Sequence, residues 1–194
     1  MNAQGVPVNA PRPLRADAQR NRARVLAAAE QVFAERGTAA STEEVARAAG
    51  VGVGTVFRHF PTKEALLRAL VLERLTRIAA EARAHAEAPD PGAAFFDFFA
   101  ATVRGSASKL ELVDALAELG VDQEETTAPV AAEVAGALAG LLHRAQQAGA
   151  VRADVTVGDV VALLAGASQA RRHTPDDRPL TVVLDGLRAR AATP

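Results

Sequence analysis

The sequence has no cysteine, no tryptophan, no tyrosine and a single methionine among its 194 residues. Without cysteine there can be no disulfide, no thiolate metal site and no thiol nucleophile. The four histidines, at 59, 85, 143 and 173, nowhere take the His-Glu-x-x-His spacing of a helical zinc site. Ser41, Ser106, Ser108 and Ser168 lack the Gly-x-Ser-x-Gly setting in which a serine becomes a nucleophile. No metal and no cofactor are therefore expected, and an enzyme on an all-helical scaffold finds no acid–base or nucleophile set. Gly52-Val53-Gly54-Thr55 lacks the Gly-Lys-Ser/Thr ending of a phosphate loop and follows no strand. No apolar run approaches the roughly 18 residues that cross a bilayer. The opening MNAQGVPVNAPRPLR has no apolar core of a signal peptide. The expectation is a cytoplasmic protein with no membrane partner.

Apolar residues, mostly Ala, Leu and Val, make up 49% of the chain, ample for a core. The formal net charge is −1, but it is unevenly spread. Residues 1–70 hold ten Lys/Arg against six Asp/Glu, and residues 71–194 hold twelve against seventeen. Phosphate binding needs a locally positive face, not a basic whole.

That basic part contains Ser41–Lys63, STEEVARAAGVGVGTVFRHFPTK. Ser41 and Glu44 have the spacing of a capping box. Val45, Ala46 and Ala49 form one small apolar face, and Gly50 stands where a helix end wants a left-handed residue. A second short helix is expected over about 53–59, stopped by Pro61. A bracing helix, a glycine turn and an exposed second helix make a unit that reads duplex DNA in the major groove. Thr55, Arg58 and His59 fall on the outward face of the second helix, and Arg58 can reach a guanine edge or a phosphate. Gly52 and Gly54 let backbone and bases approach, and Val53 offers a methyl surface. Phe57 of the second helix, Ser41 and Thr42 at the start of the bracing helix, and Lys63 complete the expected DNA-facing set. Val56 and Phe60 read as core.

Ala48-Ala49-Gly50-Val51 followed by Gly54-Thr55-Val56-Phe57-Arg58-His59-Phe60-Pro61-Thr62-Lys63-Glu64-Ala65-Leu66 resembles the TetR family of bacterial transcription regulators. The upstream run from Val25 to Ala29, with Val32, Phe33 and Gly37, is similar to that family's first helix, and the motifs cover about residues 17–70. The rest of the chain resembles the family in length and helical character, with 147–155 similar to the link before its last helices. The resemblance implies that Lys63 grips a phosphate. It also marks a departure: the family usually has tyrosine where this chain has Phe57. The ring's packing is expected to remain, while the absent hydroxyl removes one hydrogen bond, about 0.5–1.5 kcal/mol.

The expected organisation is an arm over 1–14, a helix-turn-helix domain over 15–70 and a larger all-helical regulatory and dimerisation domain over 71–194, an all-α fold throughout. In the arm and just beyond it, Arg12, Arg15, Arg20, Arg22 and Arg24 suit a minor groove or solvent equally. A first helix is expected over about 15–36, with Val25, Ala29, Val32 and Phe33 on one stripe. A long helix over about 63–86, capped by Thr62, ends before Pro89-Asp90-Pro91-Gly92. Further helices are expected over about 91–104, 109–119, 127–148, 157–172 and 179–190.

Phe95, Phe96, Phe98 and Phe99 can pack a core or wall an apolar cavity. The second reading gives an effector pocket of Phe95, Phe99, Leu112, Leu116, Leu138, Leu142 and His143, with Asp114 and Gln169 as further polar candidates. Its occupant is expected to be an uncharged or weakly polar molecule. The last two helices offer Val160, Leu164, Ala167, Val183, Leu184 and Leu187 for a homodimer interface. The function these features imply is a repressor that binds a palindromic operator as a homodimer and leaves DNA when a small apolar effector binds. The alternative is a DNA-binding regulator or activator without an effector.

Overall fold

In a computed structural model, the described residues, 12–174 and 176–189, form nine helices and no strand. Side chains are described from Ala16 onward, with Ser108, Lys109 and Gln123 excepted. The helices are α1 (Arg12–Arg36), α2 (Thr42–Ala49), α3 (Val53–His59), α4 (Lys63–Ala86), α5 (Pro91–Arg104), α6 (Ala107–Glu118), α7 (Gln123–Gln147), α8 (Val157–His173) and α9 (Arg178–Leu187). They divide into two compact units, Met1–Leu66 and Leu67–Pro194, so the division falls earlier than the expected boundary after residue 70. Most of the expected arm, and the side chains of Arg12 and Arg15, lie outside the described residues; Arg12–Leu14 open α1.

In the first unit α1 lays its stripe of Val25, Ala29, Val32 and Phe33 against α2 and α3. Val45, Ala46 and Ala49 of α2 are buried there, together with Val56 and Phe60. Two cations lie on the aromatic rings: the Arg22 guanidinium 5.4 Å from the Phe60 centroid, and Lys63 Nζ 5.9 Å from that of Phe33.

The second unit is organised on α5, which packs on α7, α8 and α9. Phe95, Phe98 and Phe99 are fully buried, with Phe95 edge-on to Phe96 at 5.4 Å and the His85 ring edge-on to Phe98 at 5.7 Å. Arg188 covers Phe96 at 4.4 Å. The core reading of the phenylalanines is therefore the one the fold adopts. Leu112, Leu116 and Leu142 join the same core, whereas His143 is exposed.

Besides the earlier start of α1 at Arg12, the bounds of three later helices differ from the sequence expectation. α6 begins at Ala107 behind Ser106. α7 starts at Gln123 because Asp122 caps it, accepting from the Glu125 amide at 2.9 Å. Pro129 then falls inside α7, where it cannot donate the next helical hydrogen bond. α9 stops at Leu187: Arg188 pairs antiparallel with Val151, and the Ala189 amide donates to the Ala150 carbonyl. The expected end of that helix, Arg190, lies outside the described residues.

The expected dimer set is largely consumed inside the protomer. Val160, Leu164, Ala167 and Leu187 are buried within the second unit, because the apolar face of α8 is turned onto α5, α7 and α9; Val183 and Leu184 are half-buried. The large exposed apolar residues of these helices are Val161 and Val182, the latter 64% accessible.

The first turn of α5 fits tightly against the loop after α7. A Cβ on buried Gly92 would lie 2.6 Å from the Ala150 Cβ. Gly92→Ala should therefore destabilise the protein by about 1–3 kcal/mol through overpacking. Gly158→Ala in the first turn of α8, where the nearest atom is Thr156 Oγ1 at 3.6 Å, should be neutral or stabilising. Urea unfolding measures both, and a Gly92→Ala protein as stable as the parent would contradict this packing.

Candidate functional site

The helix-turn-helix geometry begins at Ser41. Its Oγ accepts from the Glu44 amide at 3.2 Å, and Glu44 Oε2 accepts from the Ser41 amide at 2.8 Å, completing the capping box. Arg36 Nη1 donates to the other Glu44 oxygen at 2.7 Å, tying the end of α1 to the start of α2. The Ser41 amide and then the Arg36 guanidinium hold the Glu44 carboxyl below its ordinary range.

At the other end of α2, Gly50 takes φ +62°, ψ +37°. Its amide donates to the Arg47 carbonyl and that of Val51 to the Ala46 carbonyl, the pairing of a Schellman turn. Arg24 of α1 donates from Nη2 to the Ala49 carbonyl at 2.7 Å, with Gly50 O at 3.3 Å. Sequence reasoning offered Arg24 to DNA or solvent; the fold uses it to cap α2. A long-range cap of this kind has no signal in local spacing.

The turn delivers α3 with Val56 and Phe60 buried and Phe57 and Arg58 exposed. Phe57 is 45% accessible, so its ring does not keep the packed role expected for it and faces outward instead. Thr55, His59, Val53 and Lys63 are half-exposed, Gly52 and Gly54 fully so, and Ser41 and Thr42 half-exposed at the start of α2. Thr62 Oγ1 accepts from the Ala65 amide at 3.0 Å, starting α4 as expected and presenting Lys63 in its first turn. The result is a short helix with a polar and aromatic exposed side and backbone access at its N-terminal end.

The second unit contains a partly open cavity of about 750 Å³. Leu75 and Ile78 of α4, Thr102 of α5, Leu110 and Val113 of α6, Val134 and Leu138 of α7 and Leu164 of α8 line it. Of the seven expected pocket residues, Leu138 alone lines it: Phe95, Phe99, Leu112, Leu116 and Leu142 belong to the packed core and His143 to the surface. Asp114 and Gln169 do reach the wall. Asp114 is held by Arg172 Nη2 at 2.5 Å. Sequence reasoning missed Arg74, which also lines the cavity. Its Nη2 donates to the Gly105 carbonyl at 3.0 Å, but its Nε is buried without a hydrogen-bond partner, as is Thr102 Oγ1. A buried donor left unmet costs about 1–3 kcal/mol, more when charged. Among the described residues there is no group of three or more His, Asp or Glu placed to hold a metal, and no helix is long and apolar enough to cross a membrane.

The chain has relatives that match both units. Residues 25–70 match the profile of bacterial regulatory proteins of the tetR family, and residues 90–189 that of the SbtR-like transcriptional regulator C-terminal domain. A TetR transcription regulatory protein from Mycobacterium vanbaalenii is 46% identical, with a TM-score of 0.74 over 91% of this chain and 99% of that one. A TetR transcriptional regulator from Streptomyces coelicolor is 31% identical, with a TM-score of 0.68 over 88% and 99% of the two chains. The HTH-type transcriptional regulator UidR of Escherichia coli is 32% identical over 91 residues, 46% of this chain and 44% of that protein; the match spans less than half the length of UidR.

Glu44 gives this region a pH signature. A carboxyl whose folded pKa lies below its ordinary value, 4.5, contributes stability that is complete above that value and fades as pH falls through the lower one. Glu44→Gln should therefore flatten the fall in urea midpoint on acidification from about pH 5 to pH 3. Parallel pH profiles for parent and variant would show that the Ser41–Glu44–Arg36 contacts carry no charge-dependent stability.

Proposed function

Because the chain belongs to the TetR family of DNA-binding transcriptional regulators, we propose that it is a cytoplasmic repressor: a homodimer that binds a palindromic operator and leaves it when a small effector enters the second unit. Residues 15–70 supply the DNA-reading part in this reading, and 71–194 the regulatory and dimerisation part. The observation that carries it is the outward side of α3, with Arg58 and Phe57 exposed while Val56 and Phe60 anchor the helix on α1. In this proposal Arg58 and Thr55 meet base edges or phosphate, and Phe57 offers an apolar ring to the groove where a hydroxyl would have sought phosphate. Lys63 and His59 take phosphates, and Gly52, Val53 and Gly54 let the α3 N-terminus approach closely. Ser41 and Thr42 lie against the flanking backbone.

Release requires a ligand with different affinity for the DNA-competent and incompetent shapes. The cavity of about 750 Å³ favours the effector-responsive reading over the effector-free one. α4 bears Lys63 in its first turn and Arg74, Leu75 and Ile78 on the cavity wall. A ligand that shifts this wall shifts the helix that presents Lys63.

One helix-turn-helix buries little groove surface, so two are joined for specific affinity. The outward faces of α8 and α9, with Ala162, Val182 and Gly186 exposed, offer the mating surface. This replaces the buried Val160, Leu164, Ala167 and Leu187 of the sequence expectation.

Operator fragments selected from the protein's own genome provide the first test. Arg58→Ala should weaken binding about tenfold or more. Lys63→Ala should lower the slope of log affinity against log salt by about 0.9, the share of one neutralised phosphate. Unchanged binding in both variants would remove this face from the interface. For the dimer, Ala162→Glu combined with Val182→Glu should yield folded monomers by light scattering and abolish operator binding. A double variant that stays dimeric places the interface elsewhere.

A further inference from the structure

We propose that the cavity of the second unit takes an amphiphilic monocarboxylate, its carboxylate held by Arg74 and Thr102 and its apolar body laid along the aliphatic lining. The proposal rests on the reading of that cavity as the effector site and names the effector's chemical class.

The charges on the wall decide it. Asp114 is the carboxylate of the lining, and Arg172 already satisfies it at 2.5 Å. Arg74 is the cation of the lining, and it pairs with no carboxylate among the described residues. Its bond from Nη2 to the Gly105 carbonyl uses one donor and neutralises no charge. Its Nε and the Thr102 hydroxyl, both in residues of the cavity wall, are buried without an acceptor. The wall thus carries a positive charge matched by no carboxylate, with two unmet donors buried behind it, and a carboxylate entering there answers the charge and comes within reach of both donors. A planar guanidinium also matches the planar carboxylate in shape.

Gly105 makes this placement possible. Its φ of −83° is open to any residue, so the glycine is there for room and not for conformation. A Cβ at this position would lie 2.8 Å from Arg74 Nη2 and 3.3 Å from the Ala101 carbonyl. Leu75, Ile78, Val134, Leu138 and Leu164 supply the apolar remainder of the wall. The uncharged or weakly polar effector expected from the sequence would leave the Arg74 charge unanswered. Two acidic residues of this unit are engaged away from the wall, Glu133 on Arg83 and Asp177 between Arg104 and Arg171.

The test is calorimetric titration of the full-length protein with decanoate, decanol and decyltrimethylammonium, three probes with one apolar chain and different heads. Decanoate should bind about tenfold or more tightly than decanol, and the ammonium should not bind. Arg74→Gln should lower decanoate affinity by about the same factor and leave decanol unchanged. Thr102→Val should have a smaller effect, and Gly105→Ala should weaken decanoate alone by displacing the guanidinium; circular dichroism establishes that each variant is folded. Equal binding of decanoate and decanol, no effect of Arg74→Gln, or no binding by decanoate overturns the carboxylate assignment. A distinct result would overturn the effector-site reading itself: decanoate binding that survives Ala135→Trp, a substitution that fills the cavity.

Discussion

A chain built from helices alone has to satisfy the free amides and carbonyls at every helix end, and this protein does so largely with short side chains and glycine turns. Ser41, Thr62, Asp90, Asp122 and Thr156 each accept an amide from the first turn of the helix that follows. Gly37, Gly50, Gly120 and Gly149 turn the chain at the other ends with positive φ. Many of the helix bounds follow from these stops. At Gly50 the effect is most direct: the left-handed residue, with Arg24 closing the last carbonyls of α2, aims α3 so that alternate sides become core and surface.

These devices explain what could be read from the sequence. Caps and glycine stops are local, so α2, α3, α4 and α5 take the expected bounds. The stripe of α1 and the inward Val56 and Phe60 follow from helical periodicity. The start of α7 was expected at about 127, whereas the Asp122 cap starts the helix at Gln123 and leaves Pro129 inside it. The end of α9 was obscured because its stop is a backbone pairing with Val151, a residue distant in sequence.

The cavity was the least legible feature, and the reason is geometric. Periodicity tells which side of a helix avoids water, but not whether that side meets another side chain or a hole. Phe95, Phe99, Leu112 and Leu116 have the same apolar signature as Leu75, Ile78 and Leu138, yet the first group fills the core and the second edges open space. Arg74 shows the converse. In sequence it belongs to the charged flank of a long helix, and its bond to the Gly105 carbonyl depends on the C-terminal end of α5 coming near α4, a contact between residues distant in sequence. The same holds for the dimer surface, since the most apolar side of α8 is the side turned inward.

The exposed ring of Phe57 has an optical consequence. The chain contains no tryptophan and no tyrosine, so its ultraviolet emission carries no indole or phenol signal. An indole placed at 57 would be the sole such fluorophore, on the outward side of α3 and largely free of the packed interior. Its emission would report the polarity of that helix face against an empty background, which makes the natural poverty in large aromatics a spectroscopic advantage.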